Sequence, residues 1–326
     1  MAITGVRAVT YRTENVGAGQ AFYQEFGLNP APAAEGCARF VLPDGAEIVL
    51  EPPQRSSFGT DITAETTWGV DSADAVKRMA DELARDHSIR VDAAGTHHFV
   101  TDFGLPMAFA QFQRKPVVNV PDPINAPGNI QRLNQWRKWR ARAQPKTINH
   151  VVYAVDDYQH AWSFFRHRMG FRLSDHSRGL GIFLRADGAP EHHSLFLLNS
   201  NYHKPSPQSF AHVCFGVEDI DELMAGANHM QRKGHPSKFG LGRHRIASAL
   251  FYYMDCPAGG EAEYGADTDY LDDGWVPREW DPKFGYIAWC ANVPPFMQTE
   301  AEWDVRFLAS EDDVRIPDLA AYRRPR

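Results

Sequence analysis

Cysteine is scarce in this chain. Cys37, Cys214, Cys256 and Cys290 are the four among 326 residues, and no two stand in a CxxC spacing. That pattern argues against a disulfide framework or a structural zinc site, and a reducing cytoplasm is the simplest home. Long apolar runs are missing too. No stretch of 18 apolar residues occurs, so no membrane span is expected. The opening MAITGVRAVTYRTEN has no apolar stretch after a basic start and does not read as a secretion signal. Positive charge is not in excess either. Lys and Arg number 34 against 41 Asp and Glu, a net charge of -7, so no nucleic-acid partner is expected. What remains is an ordinary globular balance, 43% hydrophobic and 23% charged, at a length that points to two domains. Histidine is comparatively frequent at 14 residues, and the positions of these residues carry the argument.

The chain repeats itself. Ile3-Thr4-Gly5-Val6, Ala21-Phe22-Tyr23 and Phe26-Gly27-Leu28 recur as Ile148-Asn149-His150-Val151, Ser163-Phe164-Phe165 and Met169-Gly170-Phe171. Further on, Trp68-Gly69-Val70-Asp71 parallels Phe215-Gly216-Val217-Glu218. Similar offsets over long stretches indicate a duplicated half. Each copy reads as strand, helix and then several strands. Helices are expected at 16–26, 71–87, 157–169 and 219–232, where apolar residues fall at helical spacing. The division that follows is 1–114 for a first half, 115–147 for a linker, 148–290 for a second half and 291–326 for a C-terminal extension. The linker opens on Pro116, Pro121, Pro123 and Pro127, then turns basic over 132–142, where a short helix is expected with its tryptophans packed on the body.

Three residues of the second copy form a ligand pattern. His150 lies on its first strand, His212 on the strand before its second helix, and Glu263 on its last strand. Two imidazoles and one carboxylate on one face leave the opposite face of a metal open, the arrangement of Fe(II) sites that bind O2 and a second ligand. Taken singly, a strand histidine is as readily a hydrogen-bonded core residue. Glu261 also competes with Glu263, because alternate residues of a strand share a face. The first copy is an internal control. It places Gly5, Glu65 and Ala110 at the three positions, and glycine and alanine cannot bind a metal.

At this point the chain resembles the type I extradiol ring-cleavage dioxygenases of the vicinal oxygen chelate superfamily. Glu191-His192-His193-Ser194-Leu195 looks like the family's His-His segment, Leu241-Gly242-Arg243-His244 like its LGRH segment, and Tyr253 with Glu263-Tyr264-Gly265 like its last-strand signature. The resemblance implies an α+β fold of four βαβββ modules in two barrel-like domains, with Fe(II) in the second on His150, His212 and Glu263. It implies His193 as acid/base, and His244 and Tyr253 as substrate contacts. The reaction implied is meta cleavage of a catechol by O2 to a semialdehyde or ketone. A homo-oligomer is the expected assembly. One departure stands out: Ala247 occupies the place of the usual acidic residue after the LGRH histidine, which points to an unusual substrate. Two other functions remain open, a metal-dependent isomerase or hydrolase of the same superfamily and a non-catalytic protein that binds aromatic ligands.

Overall fold

The structure is a computed structural model that describes residues 3–53, 60–203, 208–315 and 317. The last residues of the expected C-terminal extension, 318–326, lie outside the described residues.

Local chemistry sets the repeating unit. The first module runs β1 (Ile3–Arg12), α1 (Val16–Phe26), β2 (Pro30–Ala31), β3 (Ala38–Val41) and β4 (Glu47–Glu51). The second runs β5 (Ala64–Val70), α2 (Ala73–Leu83), β6 (Arg90–Val91), β7 (His97–Val100) and β8 (Pro106–Gln111). The third runs β9 (Thr147–Val155), α3 (Tyr158–Met169), β10 (Arg172–Ser177), β11 (Gly181–Arg185) and β12 (Leu195–Asn199). After the short α4 (Ser200–His203), the fourth runs β13 (Ser209–Gly216), α5 (Ile220–Arg232), β14 (Gly242–Arg243), β15 (Leu250–Asp255) and β16 (Glu261–Ala266). Three of the four module helices start on a side-chain cap: Ser72 accepts from Ala75 N–H, Asp157 from Gln159 and His160, and Asp219 from Glu222. Two of the four, α1 and α3, end on left-handed glycines, Gly27 and Gly170.

The duplication holds at the level of topology. The first sheet has the order β2-β3-β4-β1-β5-β8-β7-β6. The second contains the same order in its own strands, β10-β11-β12-β9-β13-β16-β15-β14. Later residues extend both edges of the second sheet. β17 (Arg278–Trp280) and β19 (Val305–Phe307) continue the β10 edge, and β18 (Trp289–Cys290) continues the β14 edge, with α6 (Pro282–Tyr286) between β17 and β18.

The halves share one core. Phe26 stacks on Tyr264 with ring centroids 4.0 Å apart, and the Tyr264 hydroxyl donates to the Phe26 carbonyl at 2.7 Å. Thr66 and Tyr153 join their hydroxyls at 2.8 Å. A Cβ at Gly27 would lie 2.1 Å from the Ala143 carbonyl oxygen, so only glycine lets the connecting segment press against the end of α1.

Between β8 and β9 no helix forms, which corrects the expected basic helix within 115–147. The cationic side chains point instead at the acids that open α5: Arg137 pairs with Asp221, and Lys138 and Arg140 pair with Glu218. These ties hold the segment extended against the body. The tryptophans do not pack on it: Trp136 is 84% exposed and Trp139 93%.

The first half's counterpart of the ligand region is filled by a proton-sharing cluster. The buried Glu65 accepts from His98 Nδ1 at 2.9 Å, and Asp92 faces His98 Nε2 at 3.3 Å. Burial works against a charge on His98, but the two carboxylates outweigh it and raise its pKa. A histidine raised in this way adds stability that is complete below its unfolded value of about 6.5 and is lost as pH climbs through the folded value. The urea midpoint of the wild-type chain should therefore fall from about pH 6 to about pH 9. His98→Gln should be less stable at the acid end and lack that slope, and equal slopes in the two proteins would remove His98 from this role.

Candidate metal centre

His150, His212 and Glu263 come from three adjacent strands, β9, β13 and β16, at the centre of the second sheet. The register places Cys214 opposite both His150 and Glu263. Nε2 of His150, Nε2 of His212 and Oε2 of Glu263 lie 3.3 Å from one another. Three donors each about 2.1 Å from a common ion sit roughly 3.0–3.4 Å apart. Glu263 Oε2 is also buried with no hydrogen-bond donor of its own, an orphaned acceptor of the kind a cation satisfies. The residues present thus fit a divalent metal.

Electrostatics support the same donor set. Burial alone would raise the Glu263 carboxyl, yet the two imidazoles hold it below the usual carboxylate range. Burial lowers His150 more than Glu263 raises it. The two shifts describe an ionised carboxylate beside a neutral imidazole, the protonation states in which both groups can coordinate a cation. Glu261, the competing acid, is not part of this contact. Its side chain lines the same cavity as the triad and lies 3.8 Å from Lys238.

Four further residues surround the triad. The His193 ring lies 4.1 Å from the His150 ring, and burial followed by the neighbouring histidines His150 and His192 pushes its pKa well below the usual value. His244 Nδ1 meets the Tyr286 carbonyl at 2.6 Å. A carbonyl only accepts, so Nδ1 carries the proton and Nε2 takes the Tyr253 O–H at 3.0 Å. Burial lowers His244 to about 4 and raises Tyr253 well above its usual value, so both are neutral near pH 7. Cys214 is the residue that sequence reasoning missed. Its thiol lies within 4.8 Å of the His150 and Glu263 ligand atoms. Burial and the Glu263 charge raise it well above the usual value, so it remains a thiol. Its place two residues after His212 on the same strand was the available signal.

The triad, His193, His244 and Tyr253 line one cavity of about 200 Å³. Its polar end carries the triad with His193, His244 and Tyr253. Its other wall is apolar, built of Val152, Leu180, Phe183, Phe196, Ile246 and Ala249. Ala247 lines it as well, in a turn where Ala247 and Ser248 hold φ of 66° and 53°. Among the described residues that follow β16, Tyr286 is the one that reaches the cavity.

The first half lacks this set. Gly69 pairs with Ala110 as Gly216 pairs with Gly265, so the structural equivalent of Glu263 is Ala108, two residues before the Ala110 expected from the sequence. The hairpins agree, because Ala108 faces His98 as Glu263 faces Tyr253. An alanine stands there in either register, and Glu65, at the position of His212, is engaged by His98.

A profile of the Glyoxalase/Bleomycin resistance protein/Dioxygenase superfamily matches residues 147–258. Metapyrocatechase 2 of Cupriavidus necator is 32% identical over 213 residues. That match covers 65% of this chain and 65% of the relative, so less than two thirds of the relative's length. The Mn(II)-bound glyoxalase from Novosphingobium aromaticivorans superposes with a TM-score of 0.70 at 20% identity, covering 92% of this chain and 95% of its own. A halotolerant catechol dioxygenase, BphC, superposes with a TM-score of 0.69 at 19% identity, covering 94% and 99%. At such identities the likeness establishes the fold, the α+β vicinal oxygen chelate arrangement. Residues 147–258 thus match the Glyoxalase/Bleomycin resistance protein/Dioxygenase superfamily, and the chain as a whole shares the fold of these two solved structures.

Proposed function

We propose that this chain is an extradiol ring-cleavage dioxygenase that holds one Fe(II) on His150, His212 and Glu263 and opens a catechol ring with O2. The observation that carries the reading is the set of three mutual 3.3 Å contacts at the polar end of a buried cavity. Fe(II) held by His150, His212 and Glu263 would supply a Lewis acid for the diol oxygens and a path for electrons from the diol to O2. The protein does the rest. The neutral His193 takes a proton from one diol hydroxyl. Tyr253, whose own hydrogen goes to His244 Nε2, accepts from a diol hydroxyl. The apolar wall excludes water and seats the ring and its substituent. Ala247 leaves room where an acidic side chain would stand, which favours an apolar substituent on that side.

The reading favours a dioxygenase over an isomerase or hydrolase of the superfamily. Such sites call for a fourth ligand from a paired module, and Glu65 is held by His98 instead. Four free cysteines suit a reducing cytoplasm. We also place the chain in a homo-oligomer, because the segment carrying Trp136, Trp139, Leu133 and Ile130 presents them to solvent. The test is anaerobic reconstitution with Fe(II), followed by O2 uptake and product absorbance across substituted catechols. About one Fe per chain and a yellow ring-opened product are expected. No O2 uptake with any catechol sinks the proposal. Sedimentation of the same sample should give a species larger than the 36.7 kDa chain, and a monomer would refute the assembly.

A further inference from the structure

Behind His193 lies a buried chain of polar groups. Asp175 on β10 and His192 are both fully buried. Asp175 Oδ2 meets His192 Nε2 at 3.2 Å, and His192 Nδ1 meets His193 Nδ1 at 3.0 Å. Asp175 Oδ1 accepts the Arg278 backbone N–H at 2.7 Å. His192 is clamped on its other sides. Its own N–H donates to the Asp269 carbonyl at 2.9 Å, and its ring meets the Trp275 ring edge-on at 5.8 Å.

The proton positions along this chain follow from donor and acceptor rules. A carboxylate only accepts, so His192 Nε2 carries a hydrogen toward Asp175. Taking His192 as a neutral imidazole with that single N–H, its Nδ1 is an acceptor. His193 must then donate from Nδ1, and its Nε2 keeps a bare lone pair. We propose that Asp175 and His192 are positioning residues that set the tautomer of His193, so that the cavity-lining histidine presents Nε2 as a proton acceptor. The value of that tautomer rests on the ring-cleavage reading, in which the diol proton moves to His193 Nε2 and leaves an imidazolium bonded back to His192. The tautomer itself does not rest on it.

Asp175→Asn gives a directional test. Arg278 N–H can bond only an oxygen, so the new amide must keep Oδ1 toward Arg278 and turn its NH2 toward His192 Nε2. His192 then accepts at Nε2, donates from Nδ1 to His193 Nδ1, and drives the His193 hydrogen onto Nε2. The change keeps the side-chain shape, yet it converts an acceptor in the cavity to a donor. The measurement is the imidazole 15N spectrum of the full chain, metal-free and labelled at histidine, with the His193 signals assigned through His193→Gln. The wild-type chain should show His193 protonated at Nδ1, and Asp175→Asn should show it protonated at Nε2. After Fe(II) loading, the variant should keep its iron and its KM while kcat falls about 100-fold or more.

A wild-type His193 protonated at Nε2 overturns the proposal, even if the variant does not fold. So does a variant that keeps the wild-type tautomer, or one that flips it and still turns over at the wild-type rate. A flipped tautomer in a protein that consumes no O2 even as wild type supports the positioning role and instead removes the proposed reaction.

Discussion

Glu263→Ala should leave a folded chain that retains no iron and consumes no O2. Glu263 is the one negative group in the triad, and its Oε2 touches both imidazole nitrogens at 3.3 Å. Two neutral imidazoles without it offer a dication no charge and two donors where three are needed. A second readout separates lost binding from lost folding. In the wild-type chain, Fe(II) at about 100 times its Kd should add about 2.7 kcal/mol of stability, because metal bound to the native state alone shifts the unfolding equilibrium. Glu263→Gln should show no such increment. Its metal-free far-UV circular dichroism should match that of the metal-free wild type, so that lost binding is not read as lost folding. Iron bound at wild-type stoichiometry by either variant would displace Glu263 from the site. His212→Ala and His150→Ala should lose iron in the same way, and Glu261→Ala should keep it.

His193→Gln should show the opposite signature: full iron content with turnover reduced about 10²–10⁴-fold, the range a single positioned acid/base contributes. His193 lies in ring contact with His150 but is not one of the three mutually touching donors. Its pKa is held low by burial, so the resting ring is neutral and able to accept a proton. Glutamine fills a similar space with hydrogen-bonding groups and cannot take up a proton near neutral pH. A loss of iron together with activity would make His193 a part of the metal shell. Unchanged turnover would remove it from the chemistry.

How much of this was legible in the sequence differs from residue to residue. The three triad members were legible because each falls at a matching point of a repeated module, and the first copy shows what that module looks like without them. The choice between Glu261 and Glu263 was open on strand periodicity alone, since both share a face. In space the two differ: Glu263 Oε2 lies 3.3 Å from both imidazoles, while Glu261 lies 3.8 Å from Lys238. The equivalence of Ala110 with Glu263 was two residues out, because a loop alignment does not carry strand register, and pairing with β5 and β7 puts Ala108 there. The basic stretch in the connector carried a helical charge pattern, but its side chains found acids on α5, an interaction between residues about 80 positions apart. Asp175 left no trace in the sequence as a functional residue. It is one aspartate among many until folding buries it behind His192.

The sequence by itself determined the modular α+β plan, the half that carries the candidate ligands and the three side chains proposed to compose them. It could do so because strand and helix periods, caps and a duplication are local or repeated signals. The tertiary structure alone decided which acid meets the rings, how Tyr253 and His244 share one hydrogen, and that Asp175 and His192 stand behind His193. Those are matters of strand register and buried contacts between distant segments, and in a desolvated interior a few tenths of an ångström decide whether a polar group has a partner.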